Sequence, residues 1–280
     1  MDRVLVGTSA QLRATFTTDG SVDSADGSVT VTVTNAIGTA IATAASTTLV
    51  STGVYGYTLS PITSPTLLTL TWSGTWDGVA QTQTTHAEVL GARYCTIADI
   101  RALGPQFNDA TQYSNAQLLA ARDRAEVRFE ELCGRSFVSR CRVETFTGDG
   151  RCHLRLARRH VSSVAQVTVD GTATTDYELE YAELMPKLYR SQGWGTADEP
   201  AVVRVVYVAG KTDAVPDDVR WAVLLLSGQY AQRQGVSDRA YGRAVDADGL
   251  SFTISSPGPG RVGIPEVDAI IADRRLPEFA

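Results

Sequence analysis

The chain has few residues of the kinds that most often carry catalysis or bind metals. Its 280 residues include only four cysteines and three histidines. No two cysteines form a C-x-x-C pair, and the spacings of eight and eleven residues between Cys133, Cys141 and Cys152 fit no zinc ribbon or finger. The sequence also lacks G-x-S-x-G, H-E-x-x-H and Walker lysine motifs. We therefore expect free thiols, no metal site, no cofactor and no enzymatic activity.

Long apolar segments are also missing. No run of about 18 apolar residues occurs, so no membrane-spanning segment is expected. The opening residues MDRVLVG are followed at once by polar ones, which predicts no signal peptide. The net charge of −6 argues against a surface that grips phosphates tightly, although nucleic acid can still pass nearby.

Three glycines near the C-terminal end spell G-x-G-x-x-G, at Gly258, Gly260 and Gly263. A dinucleotide site requires a further parallel strand and an acidic residue about 20 positions beyond the glycines. Only 17 residues follow Gly263 in this sequence, and prolines alternate with the glycines. Residues 251–280 are therefore interpreted as a C-terminal arm that ends in a short helix, rather than as a nucleotide site.

Charge divides the chain into regions. Residues 1–92 contain two basic residues, six acidic residues and 21 threonines, whereas residues 93–280 contain the other 23 basic and 25 acidic residues. This break predicts a β-domain over 1–92, a core of helices with a β-rich insertion over 93–250, and the arm over 251–280. The predicted fold class is α+β.

The first region has the pattern of an all-β domain. In SVTVTVTN, Val29, Val31 and Val33 alternate with threonines, which places the valines on one face of a strand. Other short strand-like segments are separated by Gly, Asp and Asn turns, as in a β-sandwich. The region resembles the immunoglobulin-like modules of phage and bacterial surface proteins.

The second region begins with helices. Ser114 and Gln117 form a capping-box pattern, an apolar stripe follows, and Gly134 is a stop signal. Several strand-like segments come next, among them CHLRLARR, YELEY and AVVRVVYVAG. The stripe consists of Leu118, Ala121, Ala125, Phe129 and Leu132.

A later helix, predicted after Pro216 in VPDDVRWAVLLLSGQYAQRQG, is apolar on nearly all sides over two turns. Either the domain's own elements or a neighbouring subunit must cover it. The candidate packing residues are Val219, Trp221, Val223, Leu224 and Leu226.

Two further groups are candidates for contacts with other proteins. The short C-terminal helix is expected to dock onto another protein or a neighbouring subunit through Pro265, Val267, Ile270, Ile271 and Arg274. The basic segment RLARRH either contacts an acidic partner or simply lies at the end of a strand without a binding role. Its arginines are Arg155, Arg158 and Arg159.

These segments, in this order, resemble the head-to-tail adaptor proteins of long-tailed bacteriophages, also called head-completion or connector proteins. The segments that carry the resemblance are FEELCGRSF, the β-rich insertion, VYVAGKTDAVPDDVRWAVLLLSGQYAQRQ and RVGIPEVDAIIADRR. The resemblance implies a small helical bundle with a β insertion. It also implies a ring, usually of twelve copies, in the neck of the virion, with assembly in the host cytoplasm. The ring would bind the portal and a stopper or tail-completion protein, with the C-terminal helix gripping the portal or a neighbouring copy. DNA would pass through its lumen without sequence-specific binding.

A second hypothesis places function in the first region. Trp72, Trp76, Tyr55 and Tyr57 are aromatic residues of the kind on which sugars stack. They favour a surface protein that binds glycans or a host through its β-sandwich.

Overall fold

The computed structural model shows a strand-rich α+β protein that divides into two compact units. One unit comprises residues 1–92 and 138–212, and the other comprises residues 93–137 and 213–280. The sequence analysis instead grouped residues 138–212 with the helices. The structure describes residues 1–18, 20–196, 199–211, 214–232, 243–245, 251–253 and 261–275.

Residues 1–92 form ten strands. These are β1 (Asp2–Leu5), β2 (Ala10–Thr15), β3 (Thr17–Thr18), β4 (Ser21–Val22), β5 (Thr30–Asn35), β6 (Ala40–Ser46), β7 (Thr48–Ser51), β8 (Val54–Leu59), β9 (Thr66–Trp76) and β10 (Val79–Leu90). One sheet has the order β1-β10-β9-β5-β6, a second has the order β2-β8-β7, and β3 pairs with β4. All pairings are antiparallel except that of β1 with β10.

The five-stranded and three-stranded sheets share one hydrophobic core. Val31 and Val33 of β5 are fully buried, and Leu12 of β2 and Leu59 of β8 belong to the same cluster. The predicted alternation in β5 is confirmed, because its threonines are only partly buried while its valines are buried. Period-two patterning therefore marks the core face of this strand correctly.

Residues 138–212 form seven more strands. These are β11 (Arg140–Gly148), β12 (His153–Arg155), β13 (Val161–Val169), β14 (Thr172–Thr174), β15 (Glu178–Glu180), β16 (Lys187–Tyr189) and β17 (Ala201–Ala209). They build a four-stranded sheet of order β11-β17-β13-β14 and a three-stranded sheet of order β12-β16-β15. Val205 and Tyr207 of β17 share a second core with Leu154 of β12 and Leu188 of β16.

The opposite face of the four-stranded sheet meets residues of the first region. Val206 and Val208 of β17, both buried, line a cleft together with Pro61 and Ile62. A guanidinium nitrogen of Arg204 also donates to the carbonyl oxygen of Ala36 at 2.6 Å. The β insertion thus has both faces of its central strand covered within one unit.

A buried carboxylate ties the two parts of this unit together. Glu88 of β10 lies 3.3 Å from Arg3 of β1 and 2.9 Å from Arg140 of β11, and all three side chains are at most 8% exposed. Close by, the amide of Gly91 donates to the carbonyl of Ser139. Since three separate strands depend on one carboxylate, its charge is structurally essential.

The other unit contains the helices. These are α1 (Ile97–Ala102), a short 3-10 helix (Pro105–Asn108), α2 (Asn115–Cys133), α3 (Asp217–Gln232) and α4 (Pro265–Arg274), with a hairpin of β18 (Arg243–Val245) and β19 (Ser251–Thr253). Helix α3 packs on α2, and α4 packs on both. Residues 254–260, with Gly258 and Gly260, lie outside the described residues.

The ends of α2 agree with the sequence prediction. Ser114 and Gln117 form the expected capping box, and Gly134 ends the helix in the left-handed conformation at φ 69°. Of the predicted stripe, Leu132 is only partly buried. The stripe also failed to indicate that Glu126 and Glu130 of this helix are buried.

These two glutamates are buried because they have partners in the same unit. Arg93 lies 3.1 Å from Glu126, and the hydroxyl of Tyr94 donates to Glu130 at 2.6 Å. Ser136 donates to the same Glu130 carboxylate at 2.8 Å. Charge and hydrogen bonding together compensate for burial, which periodicity alone does not reveal.

Glu88→Ala is expected to destabilise the protein by about 3–5 kcal/mol, because Arg3 and Arg140 would stay buried after losing the carboxylate that they share. Urea denaturation measures the free energy of unfolding. Glu131→Ala, which removes a carboxylate from a solvent-exposed pair with Arg128, should cost less than about 1 kcal/mol. Equal losses in the two variants would contradict the role given to Glu88.

Candidate interaction surfaces

The C-terminal helix α4 packs against its own unit. Val267 and Ile271 are 0% and 2% exposed, and Ile270 between them is half-buried. Their neighbours are α2 and α3. The apolar face that the sequence analysis assigned to a portal or a neighbouring subunit is thus already covered by this chain.

Polar contacts fix the position of α4 as well. The carboxylate of Asp268 accepts hydrogen bonds from the amides of Val262 and Gly263, where the chain turns into the helix at a Gly263 φ of 82°. Pro265 occupies the first helical turn, as predicted. These contacts replace the side-chain cap, which is missing at Ile264.

The last turn of α4 is tied to the start of α3. Arg274 lies 2.8 Å from Asp218. Partial burial raises the pKa of Asp218, but the hydrogen bond and charge of Arg274, together with backbone hydrogen bonds at the start of α3, hold the pKa below its ordinary value. Arg274 is thus engaged within its own unit.

Four of the five candidate packing residues of α3 are buried inside the unit, and Trp221 is not. Val219, Val223, Leu224 and Leu226 are at most 9% exposed, whereas Trp221 is 42% exposed. The indole nitrogen of Trp221 donates to Glu266 of α4 at 2.8 Å. The sequence left open whether this helix is covered by its own domain or by a neighbouring subunit. Elements of its own unit cover most of it.

The basic segment lies beside an exposed apolar loop. The loop comprises residues 181–186, between β15 and β16, and we call it the tip loop. Its backbone accepts hydrogen bonds from the amides of Leu156, His160 and Val161 at 2.8–3.1 Å. The segment of Arg155, Arg158 and Arg159 therefore holds the tip loop in place.

The tip loop carries large apolar side chains that face solvent. Tyr181, Leu184 and Met185 are 70%, 65% and 44% exposed. Tyr181 has a positive φ of 50°, which is uncommon for a residue other than glycine and strained for an aromatic one. Exposed apolar residues grouped on one ordered loop indicate an interaction site.

The aromatic residues of the glycan hypothesis are not on the surface. Trp72, Trp76 and Tyr55 are at most 5% exposed and belong to the core of the first region, and Tyr57 packs against that core. Trp76 stacks on Phe16 with ring centroids 4.3 Å apart. The proposed sugar platform is therefore wrong, since buried rings offer no face to a ligand.

All four cysteines are free thiols, as expected, and three are buried. Burial raises the pKa of Cys95 to about 11 and that of Cys133 to about 12, and it raises the pKa of Cys141 as well. Cys152 is partly exposed. Cys152 is therefore the one partly exposed thiol among the four.

Ile271→Ala is expected to destabilise the protein by about 2–5 kcal/mol, since it opens a cavity between α4 and the other helices. Ile270→Ala, at the half-buried neighbouring position, is the matched control and should cost clearly less. Thermal and urea unfolding compare the two. An unchanged stability in Ile271→Ala would show that α4 does not pack on its own unit.

Thiol titration should show one fast site. With Ellman's reagent at pH 8, the native protein is expected to expose Cys152 quickly, and Cys95, Cys133 and Cys141 only at the rate of unfolding. Cys152→Ser should abolish the fast phase. Any fast thiol in that variant would contradict the burial of the other three.

The described residues contain no group of three or more potential metal ligands. No helix among them has the length and apolar character needed to cross a membrane. Comparison with known proteins finds no matching protein-family model and no matching curated protein.

Proposed function

We propose that the chain is a structural subunit of a phage head-to-tail connector, an adaptor that forms a ring between portal and tail. One observation carries the proposal. Helices α2 and α3 pack on each other, yet the β-rich segment 138–212 is inserted between them in the sequence. A helical bundle interrupted by a β insertion is the architecture that the resemblance implies.

The arrangement around these helices supports the same assignment. Helix α4 completes the helical unit, and Trp221 leaves an apolar position on its surface. We infer that the unit is a small helical bundle, and that residues 1–92 form an immunoglobulin-like sandwich, because two sheets of this region share one core. The sandwich is an addition to the minimal adaptor and is proposed to project outward.

Electrostatics is compatible with DNA passing through a ring of such subunits. Each ionic contact with phosphate strengthens a grip that does not depend on sequence, and a conduit must not hold the DNA. A net charge of −6 per chain satisfies this requirement. The proposed role is therefore structural and uses no catalytic group, and its partners are further copies, a portal and a stopper or tail-completion protein.

Electron microscopy of the purified protein tests the proposal. Rings with a central hole, alone or on addition of a portal protein, are expected, with twelve copies as the expected number. Mass photometry gives the copy number independently. A chain that stays monomeric and fails to bind the portal would overturn the adaptor function.

A further inference from the structure

We propose that the tip loop docks onto a second copy of this chain, on the acidic turn at one end of that copy's first region. The inference rests on the proposed ring and names the contact that would join one subunit to the next. The acidic turn is defined here by Val22, Asp26, Asp77 and Val79.

The tip loop is ordered before it binds. Three backbone hydrogen bonds anchor it to residues 156–161, and the amide of Met185 donates to the carbonyl of Tyr181 across the loop. A loop that is already fixed loses little conformational entropy on docking. When the loop docks, its exposed side chains bury apolar area at a small cost in conformational entropy. These side chains are Tyr181, Leu184 and Met185.

Cations lie beside these apolar side chains. Arg155 of β12 and Lys187 of β16 are cross-strand partners, so two like charges stand side by side on the solvent face. The Lys187 ammonium lies 5.6 Å from the centre of the Tyr181 ring. Among the described residues, the side chain of Arg155 has no hydrogen-bond or ion-pair partner. Glu180 of β15 is the cross-strand partner of Lys187 on its other side, so an acidic partner would chiefly complement Arg155.

The surroundings favour a protein over a nucleic acid. Glu180 pairs in register with Lys187, and Glu183 is exposed in the tip loop itself. These carboxylates disfavour a continuous row of phosphates, whereas a protein surface with two carboxylates can place them opposite Arg155 and Lys187. The aliphatic side chains of Leu184 and Met185 likewise need apolar atoms opposite them.

The same chain offers a surface of matching chemistry. In the turn between β9 and β10, Asp77 is exposed, and the next amide, that of Gly78, donates to the exposed Asp26 at 2.9 Å. Val79 and Val22 are 61% and 49% exposed. The acidic turn therefore combines carboxylates with apolar side chains, as the tip loop combines cations with apolar side chains.

Because the two surfaces differ, their contact is heterologous. A head-to-tail contact repeats from copy to copy and closes into a ring when the rotation permits. This is the kind of contact that a ring of identical subunits requires. A symmetric dimer, in contrast, would use one surface twice.

Charge reversal tests the contact in the full-length protein, alone and with portal present. Arg155→Glu with Lys187→Glu, and separately Asp26→Lys with Asp77→Lys, should each raise the dissociation constant of self-association on the order of a hundredfold. Mixing the two variants should restore assembly, since each then presents the charge that the other needs. Mass photometry and electron microscopy give the readout.

Two controls accompany these variants. Leu184→Ser with Met185→Ser keeps every charge and should also weaken assembly, because it removes the apolar contact. Arg13→Glu with Arg128→Glu makes the same change in charge as Arg155→Glu with Lys187→Glu, but at positions outside both surfaces. It should assemble like the wild type. Circular dichroism and thermal unfolding show whether each variant is folded, which is expected since the replaced side chains are partly or fully exposed.

The outcomes separate the contact from the function. If the charge-reversed variants and the Leu184→Ser with Met185→Ser variant form rings as readily as the wild type, the proposed contact is wrong and the adaptor function stands. If assembly is unchanged but DNA binding, followed by fluorescence anisotropy, is lost in Arg155→Glu with Lys187→Glu, the surface is a nucleic-acid contact and the proposal is overturned. A wild-type chain that remains monomeric even with portal would overturn both.

Discussion

The ion pairs of Glu88 are the interaction on which the larger unit depends. The carboxylate joins β10 to β1 through Arg3 and to β11 through Arg140, so it links the first region to the β insertion. A buried pair of this kind contributes little net stability compared with well-packed apolar residues, because both charges lose their hydration. Breaking it is costly, because the charges that remain stay in a buried environment.

The helical unit follows the same principle. Glu126 and Glu130 face inward from α2, where Arg93, Tyr94 and Ser136 satisfy them. All three partners lie near the points where the chain enters or leaves this unit. The polar network therefore fixes the segments next to 92/93 and 137/138 while the apolar stripe of α2 packs on α3.

Because α4 packs on its own unit, its apolar face is not available for docking, and docking surfaces lie on other parts of the chain. The sequence favoured an arm that reaches a neighbour, but Val267 and Ile271 are covered by α2 and α3. Apolar side chains that remain exposed include Trp221 on α3 and those of the tip loop on the β insertion. In the ring that we propose, the tip loop supplies one of the contacts between subunits.

Much of the local structure was predictable, because its causes are local. The alternation of Val31 and Val33, the capping box at Ser114 and the stop at Gly134 depend on neighbours within a few residues, and all three predictions are confirmed. The α+β class follows from the same patterns. Among the site residues, the sequence identified the basic segment at Arg155 but gave no signal for the exposed loop beside it.

Other properties depended on contacts between distant parts of the chain, and only the tertiary structure decided them. An amphipathic helix such as α4 has an apolar face whatever covers it, so its sequence cannot distinguish its own unit from a neighbour. Likewise, Trp72 and Trp76 lie on one face of a strand, and the strand's sequence does not show whether that face is in the core or at the surface. In the structure, both belong to the core that the two sheets share. The sequence by itself determined which segments are helices and strands and which faces are apolar. Long-range packing decided which of those faces remain free to bind.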